Sequence, residues 1–246
     1  MNRHIIRMIG WLLLALPLFS QPVSNESNVR IVRLHGDVRV RSGLDEAWTA
    51  AGLGMQLKPL DSVFAGEASE VVLVLGDETR FVLGGNAVLD IGDLRRITER
   101  QLFLFLMSQK VGRIAAHDSS TTIRIANVSV VRGSQKQIQA EPLPLPDAQG
   151  WVREKNGAKA LFDAGYYANA VVKFYTVLRR HPGVPDRGEI HLYLGQAFES
   201  LNETGCALDA YQTALDRVNA GPEMPKQLVE RKAQIEAALL RLKSKP

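Results

Sequence analysis

A single cysteine, Cys206, rules out an internal disulfide, so the chain must fold on its apolar cores alone. Cys206 stands beside Ala207 in a helical pattern, where packing as a small apolar side chain is its expected role. Histidines are few, and His35, His117, His181 and His191 form no metal-ligand spacing such as i, i+4 on one helix. No apolar run reaches the ~20 residues that span a bilayer. A large charge of one sign is also lacking. The net charge is +4, too small to predict nucleic acid as a partner. No Ser/His/Asp or Cys/His set stands out. Gly84-Gly85-Asn86 lacks the lysine and helix start of a phosphate loop and reads as a turn. These absences predict a protein with no catalytic residues, no metal and no cofactor. What remains is an ordinary globular composition, 46% hydrophobic and 23% charged, which excludes general disorder.

The first residues have their own logic. Arg3 and Arg7 precede an apolar run over residues 8–19, and polar Ser20-Gln21 follows. Charge, apolar stretch and polar exit in that order predict an export signal over residues 1–20. The two arginines are not adjacent, so the twin-arginine route is not indicated. Their removal lowers the net charge from +4 to +2. The expected location is the periplasm or another exported site in a bacterial cell envelope.

Three segments follow. Val38 and Val40 alternate with Arg39 and Arg41, the period of a half-buried strand. Val71-Val72-Leu73-Val74-Leu75 stops at Gly76-Asp77, Phe81-Val82-Leu83 at Gly84-Gly85, and Val88-Leu89-Asp90-Ile91 at Gly92-Asp93. Strands punctuated this closely predict a β-sandwich or roll over residues 29–138. The run Leu102-Phe103-Leu104-Phe105-Leu106-Met107 is expected to be a strand buried on both faces. Ile123, Ile125, Val128, Val130 and Val131 are expected to supply the last strands. Asp61, close after Pro59, is expected to bond turn backbone rather than to act in catalysis. Pro142, Pro144 and Pro146 alternate with leucines in a spacer over residues 139–150.

From Trp151 the period becomes helical. Ala170, Phe174 and Val177 recur as Ala207, Tyr211 and Ala214, each 37 residues on. A helical unit written twice cannot bury its apolar face alone and must stack on its copy. A final amphipathic helix after Pro225 places Leu228, Ile235, Leu239 and Leu242 on one side. The chain is thus multidomain, all-β and then all-α, with the helical part over residues 151–243.

The helical part resembles tetratricopeptide repeats. Ala158, Leu161, Gly165, Ala170, Phe174 and Pro182 match that pattern in the first unit, and Gly195, Phe198, Ala207, Tyr211 and Ala214 in the second. Asn202 replaces the turn glycine, and asparagine tolerates positive φ. The spacing exceeds the family's ~34 residues, and the loop over residues 183–188 absorbs the difference. The last helix resembles the cap of such arrays.

The β part resembles the FecR-type domain of bacterial envelope proteins. The pattern runs from Val29-Arg30 through Gly36-x-Val38, Trp48, Asp61-x-Val63 and Leu73-x-Leu75-Gly76-Asp77 to Val131-Arg132-Gly133-Ser134. Leu60 stands where a glycine usually precedes Asp61, and Gly76-Asp77 inverts the family's Asp-Gly turn.

The repeat resemblance implies a concave face lined by Lys155, Lys159, Phe162 and Asp163, then by Glu189, Leu192, Gln196 and Glu199. Lys155 and Lys159, four apart, are expected to hold a carboxylate of a bound protein segment. The expected role is an assembly scaffold. A cell-wall glycan-binding β domain, with Trp48 as its candidate aromatic, is the alternative. An envelope signalling component and a hydrolase with a dispersed site follow. Amino-terminal sequencing of the protein made in a bacterial host should find a start near Gln21. An intact Met1 on cytosolic protein would refute the export signal.

Overall fold

The computed structural model describes residues 29–117, 149–221 and 225–244. The export segment, the expected strands over residues 123–131 and nearly all of the proline spacer lie outside the described residues. An antiparallel β region comes first, and six helices follow it.

Eight strands form two four-stranded sheets. They are β1 (Val29–His35), β2 (Val38–Arg41), β3 (Thr49–Ala50), β4 (Gln56–Leu57), β5 (Ser62–Ala65), β6 (Glu70–Val74), β7 (Arg80–Leu83) and β8 (Ala87–Asp90). One sheet has the order β4-β1-β6-β7 and the other β3-β2-β5-β8. Alternation decides what enters the core. Val38 and Val40 are buried, whereas Arg39 is exposed and Arg41 half-buried. Ile31, Leu73, Phe81, Leu83, Val63 and Leu89 join them inside at 0% exposure. The expected turns are present. Gly36 links β1 to β2 at φ 77, and a Cβ there would lie 2.8 Å from the Ala68 carbonyl oxygen, so only glycine fits. Asp61 accepts the Lys58 and Gly43 amides at 2.8 and 2.9 Å.

The apolar run over residues 102–107 is not a strand. It lies in helix α1 (Glu99–His117). The missed signal is local. Thr98 Oγ1 accepts the Gln101 amide at 3.3 Å and Gln101 Oε1 accepts the Thr98 amide at 3.0 Å, a reciprocal capping box. The run itself holds Leu, Phe and Met without a β-branched residue, so nothing opposes the helix. Helical twist spreads it over several faces. Leu102 is buried, Phe105 meets Tyr175, and Phe103 and Leu104 stay 57% exposed.

The other helices are α2 (Gly150–Asp163), α3 (Tyr167–Arg180), α4 (Glu189–Ser200), α5 (Thr204–Asn219) and α6 (Lys226–Lys243). Helices α2/α3 and α4/α5 form two hairpins. Gly165 and Asn202 turn them at φ 79 and 61, as the 37-residue offset requires. Ala158, Ala170, Ala207 and Ala214 are fully buried between helices. A Cβ on Gly195 would meet the Tyr211 ring at 2.5 Å, so this glycine lets α4 approach α5. Cys206 is half-buried, less than expected.

The two halves share one continuous hydrophobic cluster. Strand β8 is a sheet edge, and α2 covers it. A Cβ on Gly157 would lie 2.0 Å from the Val88 carbonyl oxygen, so helix backbone meets strand backbone there. Asn156 Nδ2 donates to the Asn86 carbonyl at 2.8 Å. Asn169 Nδ2 donates to the Asp93 and Arg95 carbonyls at 2.6 and 2.7 Å. The all-β and all-α parts expected from the sequence are therefore packed against each other across a shared interface.

Ala207→Trp should cost more than ~2 kcal/mol, because a ring is forced between packed helices. Glu203→Trp, in the exposed turn, should cost little. Equal costs in urea melts would contradict the packing of α5.

Candidate functional site

The strongest electrostatic feature joins the halves. Lys173 on α3 is 4% exposed and reaches Asp90 at 2.7 Å and Asp93 at 2.5 Å. Ser62 Oγ donates to the other Asp90 oxygen at 2.7 Å. Burial pulls the ammonium toward neutrality, but Asp93 and Asp90 outweigh it and hold the group above its ordinary value. Burial also opposes ionisation of both carboxylates. At Asp90 the Lys173 charge wins and the carboxyl stays below its usual range. At Asp93 burial, aided by the neighbouring Asp90 charge, wins and holds it above.

The eight residues expected to line the helical face fall into three groups. Lys155 is nearly buried and pairs with Glu189 at 2.9 Å, and Glu189 also receives Arg231 of α6 at 3.3 Å. Lys159 pairs with Asp163 one turn on at 2.5 Å, in the open, and its ammonium lies 5.7 Å from the Tyr193 ring centre. Phe162 meets Tyr167 and Tyr193 edge-on at 5.4 and 5.5 Å, and Tyr193 stacks on Phe174. Glu199 accepts the Tyr211 hydroxyl and the Arg241 guanidinium, both at 2.7 Å. Burial, then the Glu199 carboxylate, push the Tyr211 phenol far above its ordinary range. Gln196 is half-buried, and Leu192 is 7% exposed, so it belongs to the core.

Helices α2, α4 and α6 therefore share one face, linked by Lys155–Glu189–Arg231 at one point and Glu199–Arg241 at another. Lys155 is committed inside the molecule, so an incoming carboxylate would compete with Glu189. Lys159, Asp163 and Arg241 are charged groups on this face that a partner can reach. Sequence reasoning missed Tyr193, Arg231 and Arg241. Tyr193 was within reach, since it stands four residues after Glu189 on the same helix. The arginines were not, because their acceptors are 42 residues away in sequence.

A second concavity lies where the sheet meets the helices. It is a cleft of about 530 Å³ between strands β2, β5 and β8 and helices α2 and α3. Trp48 stands on its wall, edge-on to Phe64 at 6.0 Å. The Arg41 guanidinium lies 5.1 Å from the Trp48 ring centre, and Arg153 lies 5.4 Å from that of Phe64.

Among the described residues, no three His, Cys, Asp or Glu side chains are placed to share a metal ion. No helix among them is long and apolar enough to cross a membrane. No family model, curated protein or solved structure matches this chain.

Lys173→Ala should cost about 1.5–3 kcal/mol, because it removes a buried ammonium and its charge-assisted bonds while Asp90 and Asp93, 39% and 29% exposed, regain water. Lys159→Ala, at an exposed pair, should cost under ~1 kcal/mol. Because the folded-state value of Lys173 is raised, its contribution is complete below the unfolded value and lost as pH rises through the folded one. Wild-type stability should therefore decline above about pH 10.5 more steeply than that of Lys173→Met. Parallel declines in urea melts would deny the clamp this role.

Proposed function

We propose that this protein is an exported, non-enzymatic component of the bacterial cell envelope that holds a segment of a partner protein. In this reading a FecR-like β domain carries a short tetratricopeptide array, and the shared face of α2 and α4 takes the segment. The observation that supports it is the aromatic group Phe162, Tyr167 and Tyr193, flanked by the exposed Lys159–Asp163 pair. Large rings give contact area at little conformational cost, and charges at their rim select the partner. The buried Lys155–Glu189–Arg231 bridge serves to hold the helices in place. Two hairpins and a cap make a short surface, so affinity is modest.

A second reading, glycan binding by the β domain, is favoured by the position of Trp48 on the wall of the junction cleft.

The test is capture in intact cells with a photo-crosslinking residue at position 196, half-buried on the same face, followed by mass spectrometry. The swap Lys159→Glu with Asp163→Lys keeps the internal pair and should keep the melting temperature. Because it reverses the pattern shown to a partner, capture should drop about tenfold, the effect of losing one charge-assisted contact. Undiminished capture by the swapped variant would move the site off this face. Charge reversal at Lys155 is a poor test, since a carboxylate there would face Glu189 across 2.9 Å and disturb the fold.

A further inference from the structure

The junction cleft has a chemistry of its own. Five cationic side chains and three carboxylates line it, an excess of positive charge in a crevice with protein on several sides. Most of these charges are already matched. Arg39 forks onto Asp37 with two bonds of 2.9 Å. Lys173 is held by Asp90 and Asp93. Arg180 reaches Glu154 at 3.4 Å, a long contact on a side chain 54% exposed.

Arg41 differs. It donates to Ser62 Oγ at 3.1 Å, and among the described residues no carboxylate pairs with it. Its Nε is shut off from solvent without a hydrogen-bond acceptor. On the opposite wall Glu154 Oε2 is equally shut off and lacks a donor. Glu154 already faces Arg180 and His181 at 3.4 and 3.5 Å, so the unmatched charge of the cleft is that of the Arg41 guanidinium, which favours an anionic ligand. The ligand should therefore carry an acceptor for the Arg41 guanidinium. Trp48, still 36% exposed, offers an aromatic plane beside Arg41. The volume of about 530 Å³ suits a small molecule or a few sugar rings.

We infer that this cleft binds a carboxylated saccharide. Its carboxylate meets the Arg41 guanidinium with Arg180 at the rim, a ring hydroxyl donates to Glu154, and the apolar face of the ring lies on Trp48. A neutral sugar leaves Arg41 without a carboxylate. A simple inorganic anion leaves Glu154 and the aromatic surface unused. The assignment rests on the glycan reading of the β domain and is independent of the helical face. It also explains why the site lies at the junction. β2 and β5 supply Arg41 and Phe64, α2 supplies Glu154 and α3 supplies Arg180, so both halves are needed.

Calorimetric titration of the full chain with trigalacturonate and with its methyl ester tests the inference. The two ligands share shape and hydroxyls and differ in charge. The acid should bind at least about tenfold more tightly than the ester, the effect of charge-assisted hydrogen bonds. Arg41→Gln should remove that preference, Arg180→Gln should weaken it, and Trp48→Ala should weaken both ligands together. Circular dichroism melts establish that each variant is folded. Equal binding of acid and ester would overturn the carboxylate assignment and leave the glycan reading standing. Binding of neither would end both. Tighter binding of adenosine monophosphate than of the acid would overturn the assignment in favour of a nucleotide.

Discussion

The polar contacts that set the register between the two halves centre on Lys173. One ammonium on α3, itself 4% exposed, satisfies two carboxylates at the end of the β region, Asp90 and Asp93, which keep 39% and 29% exposure. Desolvating these groups is unfavourable, and only close geometry with further hydrogen bonds offsets it. Ser62 supplies such a bond to Asp90. Asn169, one turn before Lys173, adds two more across the same seam. The ion cluster sets where α3 sits, and the absent side chain of Gly157 then lets α2 close on the edge of β8. Polar contacts of this kind supply register, while the apolar cluster beneath them supplies most of the stability.

That register shapes both candidate surfaces. With α2 fixed on β8, Glu154 and Arg153 look across at the outward residues of β2 and β5, and the cleft is what remains between them. The opposite side of the same helix carries Lys155, Lys159 and Phe162 toward α4. Charges on that side fall into two kinds. The bridges that cross from α4 to α2 and α6 are partly buried and tie helices together, whereas the Lys159–Asp163 pair stays within one turn and in water. Exposed pairs contribute little to stability, so this one can be rearranged at little cost to the fold.

Much of this was legible in the residues. The alternation of Val38 and Val40 with arginines placed β2 correctly, and the 37-residue offset placed the hairpin turns at Gly165 and Asn202. The apolar face of α6 was readable from Leu228, Ile235, Leu239 and Leu242. The run at residues 102–107 was misread because a uniformly apolar stretch has no period, and the Thr98–Gln101 cap that decides the matter is polar and lies before it. Leu192 was placed on an open face by position in the repeat, yet it is buried.

The sequence by itself determined most of the local order, outside helix α1: which segments alternate or repeat with helical period, where they turn, and which side of each is apolar. Periodicity and turn chemistry act over a few residues, so they survive without knowledge of the fold. The tertiary structure decided the fate of the charges. Lys155, Lys159, Lys173 and Arg41 look alike as letters, but one is bridged between helices, one is open, one clamps two domains and one lines a cleft without a carboxylate. The energy of a charge is set by the dielectric around it and by neighbours within a few ångströms. For Lys173 those neighbours lie 80 or more residues away in the chain, a distance over which no periodic pattern carries information.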